Sequence, residues 1–282
     1  MITIQNDKLR VLISEVGAEM RAITSADGTE YLWNGDPAVW GKFAPVLFPV
    51  CGALKNNTYT YEEQSYTLEK HGFARFETFE AVKAEPTEAV FVLRSSDKHR
   101  DAYPFDYELY IGYRLDGATV VMTYEVRNPS DKPLYMSIGS HAGFACPEGI
   151  EEYEIVFEKP ETLDTMPDPL TSLSTERILT DSAVLPLKES YFSVDALIFR
   201  GGTRSTELTL RHKTSGRGIK IGYEGFDNLL LWQPYKARFI CVEPWCGFPD
   251  LATHDGDITQ KEAIRCVEGG STFRRVQTMT IL

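Results

Sequence analysis

Residues 107–127 read YELYIGYRLDGATVVMTYEVR, in which two stretches of alternating apolar and polar residues flank Asp116-Gly117. Alternation with a period of two residues is typical of β-strands that have one buried face. An Asp-Gly pair between two such runs indicates a β-hairpin, because glycine accepts the positive φ angles that tight turns need. The segment therefore predicts antiparallel strands at 107–115 and 119–127, and it indicates a fold built from β-sheet.

Strand patterns continue on both sides of this hairpin. We predict them at residues 9–14, 20–24, 30–33, 58–61, 65–68, 134–141, 207–212, 218–223, 228–232, 238–243 and 272–281. Because residues 134–141 follow the hairpin closely, we expect them to extend its sheet. The four strands within residues 207–243 form another closely spaced set. No segment shows a long apolar period of 3.6 residues, so helices should be few and short.

This pattern predicts an all-β fold, a large antiparallel β-sandwich formed by a single domain over residues 1–282. Of the 282 residues, 43% are hydrophobic, which is ample for a buried core. Residues 159–181, with three prolines and many Ser, Thr and Asp residues, predict a long surface loop. The five cysteines include no Cys-x-x-Cys pair, which predicts free and buried thiols instead of a disulfide framework.

Charge and hydropathy restrict the partners. The chain carries 41 acidic and 29 basic side chains, a formal net charge of −12, and no run rich in lysine or arginine. Nucleic acids and anionic membranes are therefore poor partners. Charged residues at positions 7, 8 and 10 are unlike a signal peptide, and the longest apolar run, 43–54, is too short to span a bilayer. We expect a cytoplasmic protein, either a monomer or a homodimer.

Three separate segments place titratable side chains among aromatic, glycine and proline residues: KHGFAR at 70–75, SHAGF at 140–144 and CVEPW at 241–245. Histidine titrates near neutral pH, and a carboxylate with a raised pKa accepts a hydroxyl proton. Glu243 ends an apolar strand and shares a face with Cys241 by the period of two, so we expect burial to raise its pKa. This chemistry suits proton transfer on a neutral polyol such as a sugar.

Alternative interpretations of these residues stay open. His71, His141 and Glu243 are also the residue types of a non-haem iron triad. They lie 70 and 102 positions apart, however, whereas such triads usually take two ligands from one short motif. Trp232 is either a stacking platform for a sugar or a core residue, and Asp195 either binds hydroxyl groups or caps a turn. No phosphate-binding glycine loop or dinucleotide fingerprint occurs, and we expect neither a metal nor a cofactor.

The order of these motifs resembles that of a known family. The chain carries NG at 34–35 with Trp40, FPVCG at 48–52, HGF at 71–73, SD at 96–97 before YP at 103–104, the hairpin at 113–127, His141 before an aromatic residue, Asp195, and EPWCG at 243–247. Over nearly its whole length the chain is similar to the aldose 1-epimerase (galactose mutarotase-like) superfamily. The HGFAR and EPW forms resemble the bacterial mutarotase-like branch that is often found beside lactose or galactose genes.

The resemblance implies a β-supersandwich that carries an acid–base site. Glu243 would be the general base on the anomeric hydroxyl, and His141 would be the general acid on the ring oxygen. His71 would assist and bind, and Asp195 would bind sugar hydroxyls.

Further substrate-binding candidates are Arg75 and Trp232. Characterised galactose enzymes carry a Gly-Arg-x-x-Asn-Arg run where this chain has residues 51–57, so Lys55 and Asn56 are the polar substitutes that we expect to contact substrate. This departure means that the resemblance does not carry over the identity of the sugar.

We therefore expect a metal-independent isomerase that interconverts the α and β anomers of a free hexose. Two alternatives remain: a hexose-6-phosphate 1-epimerase of the same superfamily, and a non-catalytic carbohydrate-binding β-sandwich. A phosphate substrate needs two or more convergent cations, for which Arg75 and Lys55 are the candidates. The acidic composition favours a free sugar.

Overall fold

The computed structural model describes all residues from Met1 to Leu282. In chain order the strands are β1 (Ile2–Gln5), β2 (Leu9–Ile13), β3 (Met20–Ser25), β4 (Val46–Leu47), β5 (Thr58–Tyr61), β6 (Gln64–Thr67), β7 (Glu80–Glu85), β8 (Glu88–Arg94), β9 (Glu108–Asp116), β10 (Thr119–Arg127), β11 (Leu134–Met136), β12 (Ile138–Ser140), β13 (Ala142–Ala145), β14 (Tyr153–Thr165), β15 (Glu176–Pro186), β16 (Leu197–Phe199), β17 (Glu207–His212), β18 (Gly218–Gly222), β19 (Asn228–Trp232), β20 (Phe239–Cys246), β21 (Arg265–Val267) and β22 (Thr272–Ile281).

The helices are six short 3-10 turns, at Lys55–Asn57, Ala74–Phe76, Asp97–His99, Ile150–Glu152, Glu189–Phe192 and Ile258–Gln260. None of them has the length and hydropathy needed to cross a bilayer. Few and short helices are what the sequence predicted.

The larger sheet is antiparallel and contains nine strands in the order β15-β14-β17-β18-β22-β10-β9-β8-β7. The hairpin predicted from residues 107–127 is confirmed as β9 and β10, and it lies within this sheet. Asp116 pairs with Thr119, so the two turn residues are Gly117 and Ala118, one position later than the Asp-Gly pair suggested. Gly117 has a φ of 55°, the left-handed conformation that favours glycine at such a turn.

The second large sheet has the order β16-β19-β20-β12-β4, and β13 also pairs with β20. The expectation that residues 134–141 extend the hairpin sheet is wrong. β11 pairs with β21, and β12 pairs with β20 and β4 in this second sheet. The physical reason is burial: all three residues of β12 and all eight of β20 are buried, as suits strands covered on both faces.

The four strands predicted within residues 207–243 are present, with β17 and β18 in the nine-stranded sheet and β19 and β20 in the second sheet. One further expectation needs correction. Residues 159–181 are not one long loop, because β14 and β15 extend into them and leave only residues 166–175 between the two strands. Register shifts within the β14–β15 pair break the alternation by which a strand is recognised in a sequence.

Apolar side chains from both large sheets join in one core cluster of 61 buried residues. Ile111 and Tyr124 enter it from the nine-stranded sheet, and Ile138 and Val242 enter it from the second sheet. Packing of two antiparallel sheets around a shared core defines a β-sandwich, so the predicted fold class is confirmed. All five cysteines are free, and four of them are buried, as predicted.

Candidate active site

A cavity of about 260 Å³ lies over the second sheet. Six of the eight predicted site residues line it: His71, Arg75, His141, Asp195, Trp232 and Glu243. These residues come from positions between 71 and 243 of the chain, so only the folding of separate loops and strands brings them to one place.

Lys55 and Asn56 do not line this cavity. The ammonium group of Lys55 donates hydrogen bonds to the carbonyl oxygens of Ala252 and His254, each at 2.9 Å. Its backbone N–H donates to the carboxylate of Asp250. Asn56 is exposed and has a φ of 55°, in the left-handed region. The geometry therefore corrects the expectation that these two residues contact substrate, and gives Lys55 the role of joining two loops.

Glu243 is held in the middle of the second sheet. It lies on β20, pairs with Leu230 of β19, and is 1% exposed. Burial raises the pKa of the Glu243 carboxyl well above its usual range, while the ammonium of Lys70 opposes that shift and the charge of Asp195 adds to it. Glu243 shares its face with Cys241, as the period of two predicted, since the ligand atoms of both lie close to His141.

His141 lies between β12 and β13, where its backbone N–H donates to the carbonyl oxygen of Pro45. Its Nε2 atom is 3.3 Å from Oε2 of Glu243. The indole of Trp40 stacks on the imidazole, with ring centroids 5.2 Å apart, and Trp232 meets it edge-on at 5.4 Å. Burial lowers the pKa of His141 to about 3. The shifts of His141 and Glu243 therefore both favour the state in which neither side chain is charged.

His71 has a left-handed backbone conformation, and a hydrogen bond fixes the orientation of its ring. Its φ is 69°, and the following Gly72 lies so close to Phe48 that a Cβ atom there would be 2.3 Å from the Phe48 carbonyl oxygen. The Nδ1 atom of His71 accepts a hydrogen bond of 3.1 Å from the backbone N–H of Gly52. Burial lowers the pKa of His71 well below its usual range. A neutral His71 must therefore carry its proton on Nε2, which makes it a fixed hydrogen-bond donor.

Asp195 is exposed on the cavity wall, and its carboxylate makes no hydrogen bond within the protein, so it does not cap a turn. Trp232 is half-buried and lines the cavity beside His141. Both residues are thus placed where a bound sugar could reach them.

The sequence interpretation missed several lining residues: Trp40, Lys42, Lys70, Asp168 and Trp245. Trp40, Lys70 and Trp245 lie within or beside the quoted motifs, which is the signal that could have identified them. Asp168 belongs to the segment assigned to a surface loop, and nothing in the pattern around Lys42 marks it.

His141 and Glu243 of this cavity, together with Cys241 buried beside them, are residue types that bind metals. The ligand atoms of His141, Cys241 and Glu243 all lie within 4.8 Å of one another. Imidazole, thiolate and carboxylate together are a donor set that suits Zn²⁺. This set differs from the triad considered from the sequence, because Cys241 takes the place of His71.

Comparison with known proteins gives matches over most or all of the chain. The family model for aldose 1-epimerase matches residues 1–257. The plasmid and chromosomal LacX proteins of Lactococcus lactis subsp. lactis are each 31% identical over 297 residues, covering 100% of this chain and 99% of the relative.

Two solved structures are similar over nearly their whole length. A galactose mutarotase related enzyme from Lactobacillus acidophilus has a TM-score of 0.89 at 30% identity, covering 99% of this chain and 96% of that one. A galactose mutarotase-like protein from Lactobacillus casei has a TM-score of 0.93 at 26% identity, covering all of both chains. The motifs, the sandwich and these matches agree, and the chain belongs to the aldose 1-epimerase family.

Proposed function

We propose that this protein is a mutarotase that interconverts the α and β anomers of an aldose by general acid–base catalysis. The observation that supports this most directly is the pairing of Glu243 with His141, 3.3 Å apart at the wall of a cavity with aromatic faces. Family membership supports the reaction class. The indoles of Trp40 and Trp232 offer apolar faces to a sugar ring, and Asp195 offers acceptors to its hydroxyls.

In the proposed reaction, the carboxylate of Glu243 removes the proton from the anomeric hydroxyl while the imidazolium of His141 protonates the ring oxygen. The bond between C1 and the ring oxygen breaks, and an open-chain aldehyde forms. Rotation about C1–C2 presents the other face of the aldehyde, and the reverse proton transfers close the ring as the other anomer. Protons and electrons balance without a redox step.

The burial of the pair affects both ends of the proton transfer. Before ring opening, the reactive state has a carboxylate and an imidazolium; after ring opening, both side chains are neutral. Burial favours the neutral forms of Glu243 and of His141, so the charged pair costs free energy to form, and transfer of both protons releases it again. Each positioned proton transfer is expected to contribute roughly 10²–10⁴-fold to the rate. His71, as a fixed donor, would orient the ring oxygen or a neighbouring hydroxyl.

The experiment that tests this function is measurement of anomer exchange by NMR or polarimetry, starting from one pure anomer of each aldose in a panel. We expect exchange well above the spontaneous rate for at least one aldose. If aldoses bind but no exchange exceeds the spontaneous rate, the alternative of a carbohydrate-binding sandwich without catalysis is correct.

A further inference from the structure

Three cationic side chains that the sequence interpretation did not group together line the same cavity: Lys42, Lys70 and Arg75. None of them forms an ion pair with a carboxylate, whereas lysines and arginines elsewhere, such as Lys83 and Arg94, do so. Resting on the proposed function, we propose that the aldose carries a phosphate monoester, and that Lys42, Lys70 and Arg75 bind it.

Two of the three cations, Lys42 and Arg75, lie against one aromatic ring. The Nζ atom of Lys42 lies 4.8 Å from the ring centroid of Phe76, and Cζ of Arg75 lies 4.7 Å from the same centroid. Arg75 also donates a hydrogen bond of 2.7 Å from Nη2 to the carbonyl oxygen of Lys70. Phe76 and the backbone at Lys70 thus fix the guanidinium of Arg75 at the cavity wall.

The side chains of these residues retain unused donors. The Nε atom of Arg75 is buried without a hydrogen-bond partner. The ammonium groups of Lys42 and Lys70 make no hydrogen bond within the protein. A buried donor without a hydrogen-bond partner, such as Nε of Arg75, is costly. A guanidinium with two ammonium groups matches the charge and the three oxygens of a phosphate.

The carboxylates around the cavity are compatible with a phosphorylated substrate. These carboxylates are those of Asp168, Asp195 and Glu243, and the ammonium of Lys70 is near enough to Glu243 to oppose the rise in the pKa of that carboxyl. A substrate that has both hydroxyls and an anionic group matches the carboxylates and the cations of this cavity. Because the C1 hydroxyl must be free for epimerisation, the phosphate is on another carbon.

The test compares kcat/KM for anomer exchange of glucose with glucose 6-phosphate, and of galactose with galactose 6-phosphate, with glucuronate as a carboxylate-bearing probe. We expect the phosphorylated sugar to be preferred by at least about tenfold, the value of one charge-assisted hydrogen bond. Lys42→Gln and Lys70→Gln should each lower the ratio of the two kcat/KM values several-fold. Lys132→Gln, which removes an exposed lysine outside the cavity, is the matched control and should leave the ratio unchanged.

Equal or better turnover of the unphosphorylated sugar overturns the proposal, as does a phosphate preference that both variants retain. Preference for glucuronate over glucose 6-phosphate overturns the phosphate in favour of a carboxylate. If no aldose is epimerised, the proposed function fails, and calorimetric binding of glucose 6-phosphate then decides the anion site separately. Binding tighter than that of glucose, and weakened in Lys42→Gln, supports the site; equal binding refutes it.

Discussion

Replacing Glu243 with glutamine should abolish anomer exchange while leaving the fold intact. Glutamine has nearly the same shape as glutamate. Because Glu243 is only 1% exposed, a side chain of different shape would disturb the packing around it. Its amide lies where the carboxyl faces Nε2 of His141, at 3.3 Å, and can donate a hydrogen bond to that nitrogen. The amide cannot accept the proton of the anomeric hydroxyl, so the base is lost and binding is largely retained.

The expected loss in kcat is at least about 10²-fold, or ~3 kcal/mol of barrier, the lower range for a positioned general base. His141→Asn should lose a similar amount, because the ring oxygen then lacks its acid. The two losses should not add in the double variant, since base and acid act in one concerted step.

The assay is the rate of anomer exchange per folded molecule, measured by NMR beside a thermal melting curve. Cys246→Ala is the matched control: it removes a buried atom from the same strand, on the opposite face from Glu243, and should lower stability without lowering the rate per folded molecule. If Glu243→Gln keeps more than about a tenth of the wild-type rate, the assignment of Glu243 as general base is wrong.

Three further results are expected. His71→Gln keeps an N–H near the Nε2 position, so it should retain more activity than His71→Asn. His71→Asn should have the higher Tm, because asparagine tolerates a left-handed backbone and can still accept the hydrogen bond from the N–H of Gly52. Identical effects of the two variants on rate and Tm would contradict the fixed-donor role. Since burial raises the pKa of Glu243 above 4.5, the stability that the protonated carboxyl contributes is present below that pH and is lost as the pH rises through the raised pKa. The Tm of Glu243→Gln should therefore increase relative to that of the wild type as the pH rises. A Tm difference that stays constant with pH would contradict this expectation. The lowered pKa of His141, about 3, has the opposite sign: its contribution is present above 6.5 and is lost as the pH falls toward 3. Exhaustive chelation should leave anomer exchange unchanged, whereas activity lost on chelation and restored by Zn²⁺ would identify His141, Cys241 and Glu243 as ligands.

The antiparallel β class was predictable because it is encoded locally. The alternation in residues 107–127 indicates one buried face for each strand. Gly117 has the positive φ expected of a turn glycine, although the two turn residues lie one position later than predicted. The shared face of Cys241 and Glu243 was predictable for the same reason, since both lie on one strand two residues apart. The position of Glu243 on the buried face of its strand also made the rise in its pKa predictable.

The sheet to which each strand belongs was decided by tertiary structure. Alternation describes the two faces of a strand but does not identify its hydrogen-bonded neighbours, so residues 134–141 read as part of the hairpin sheet although β12 pairs with β20. Likewise, β14 and β15 are recognisable only once their bulged pairing is known.

The charge of the site was also decided by tertiary structure alone. The net charge of −12 is a sum over the whole surface and favoured a neutral sugar, and Lys55 appeared to be the second cation. Folding turns Lys55 toward backbone carbonyls and brings Lys42 and Lys70 to the cavity with Arg75. Electrostatic attraction weakens with distance and is screened within about 10 Å in salt. A bound substrate therefore experiences the few charges around its cavity, and their identity depends on contacts between residues far apart in the sequence.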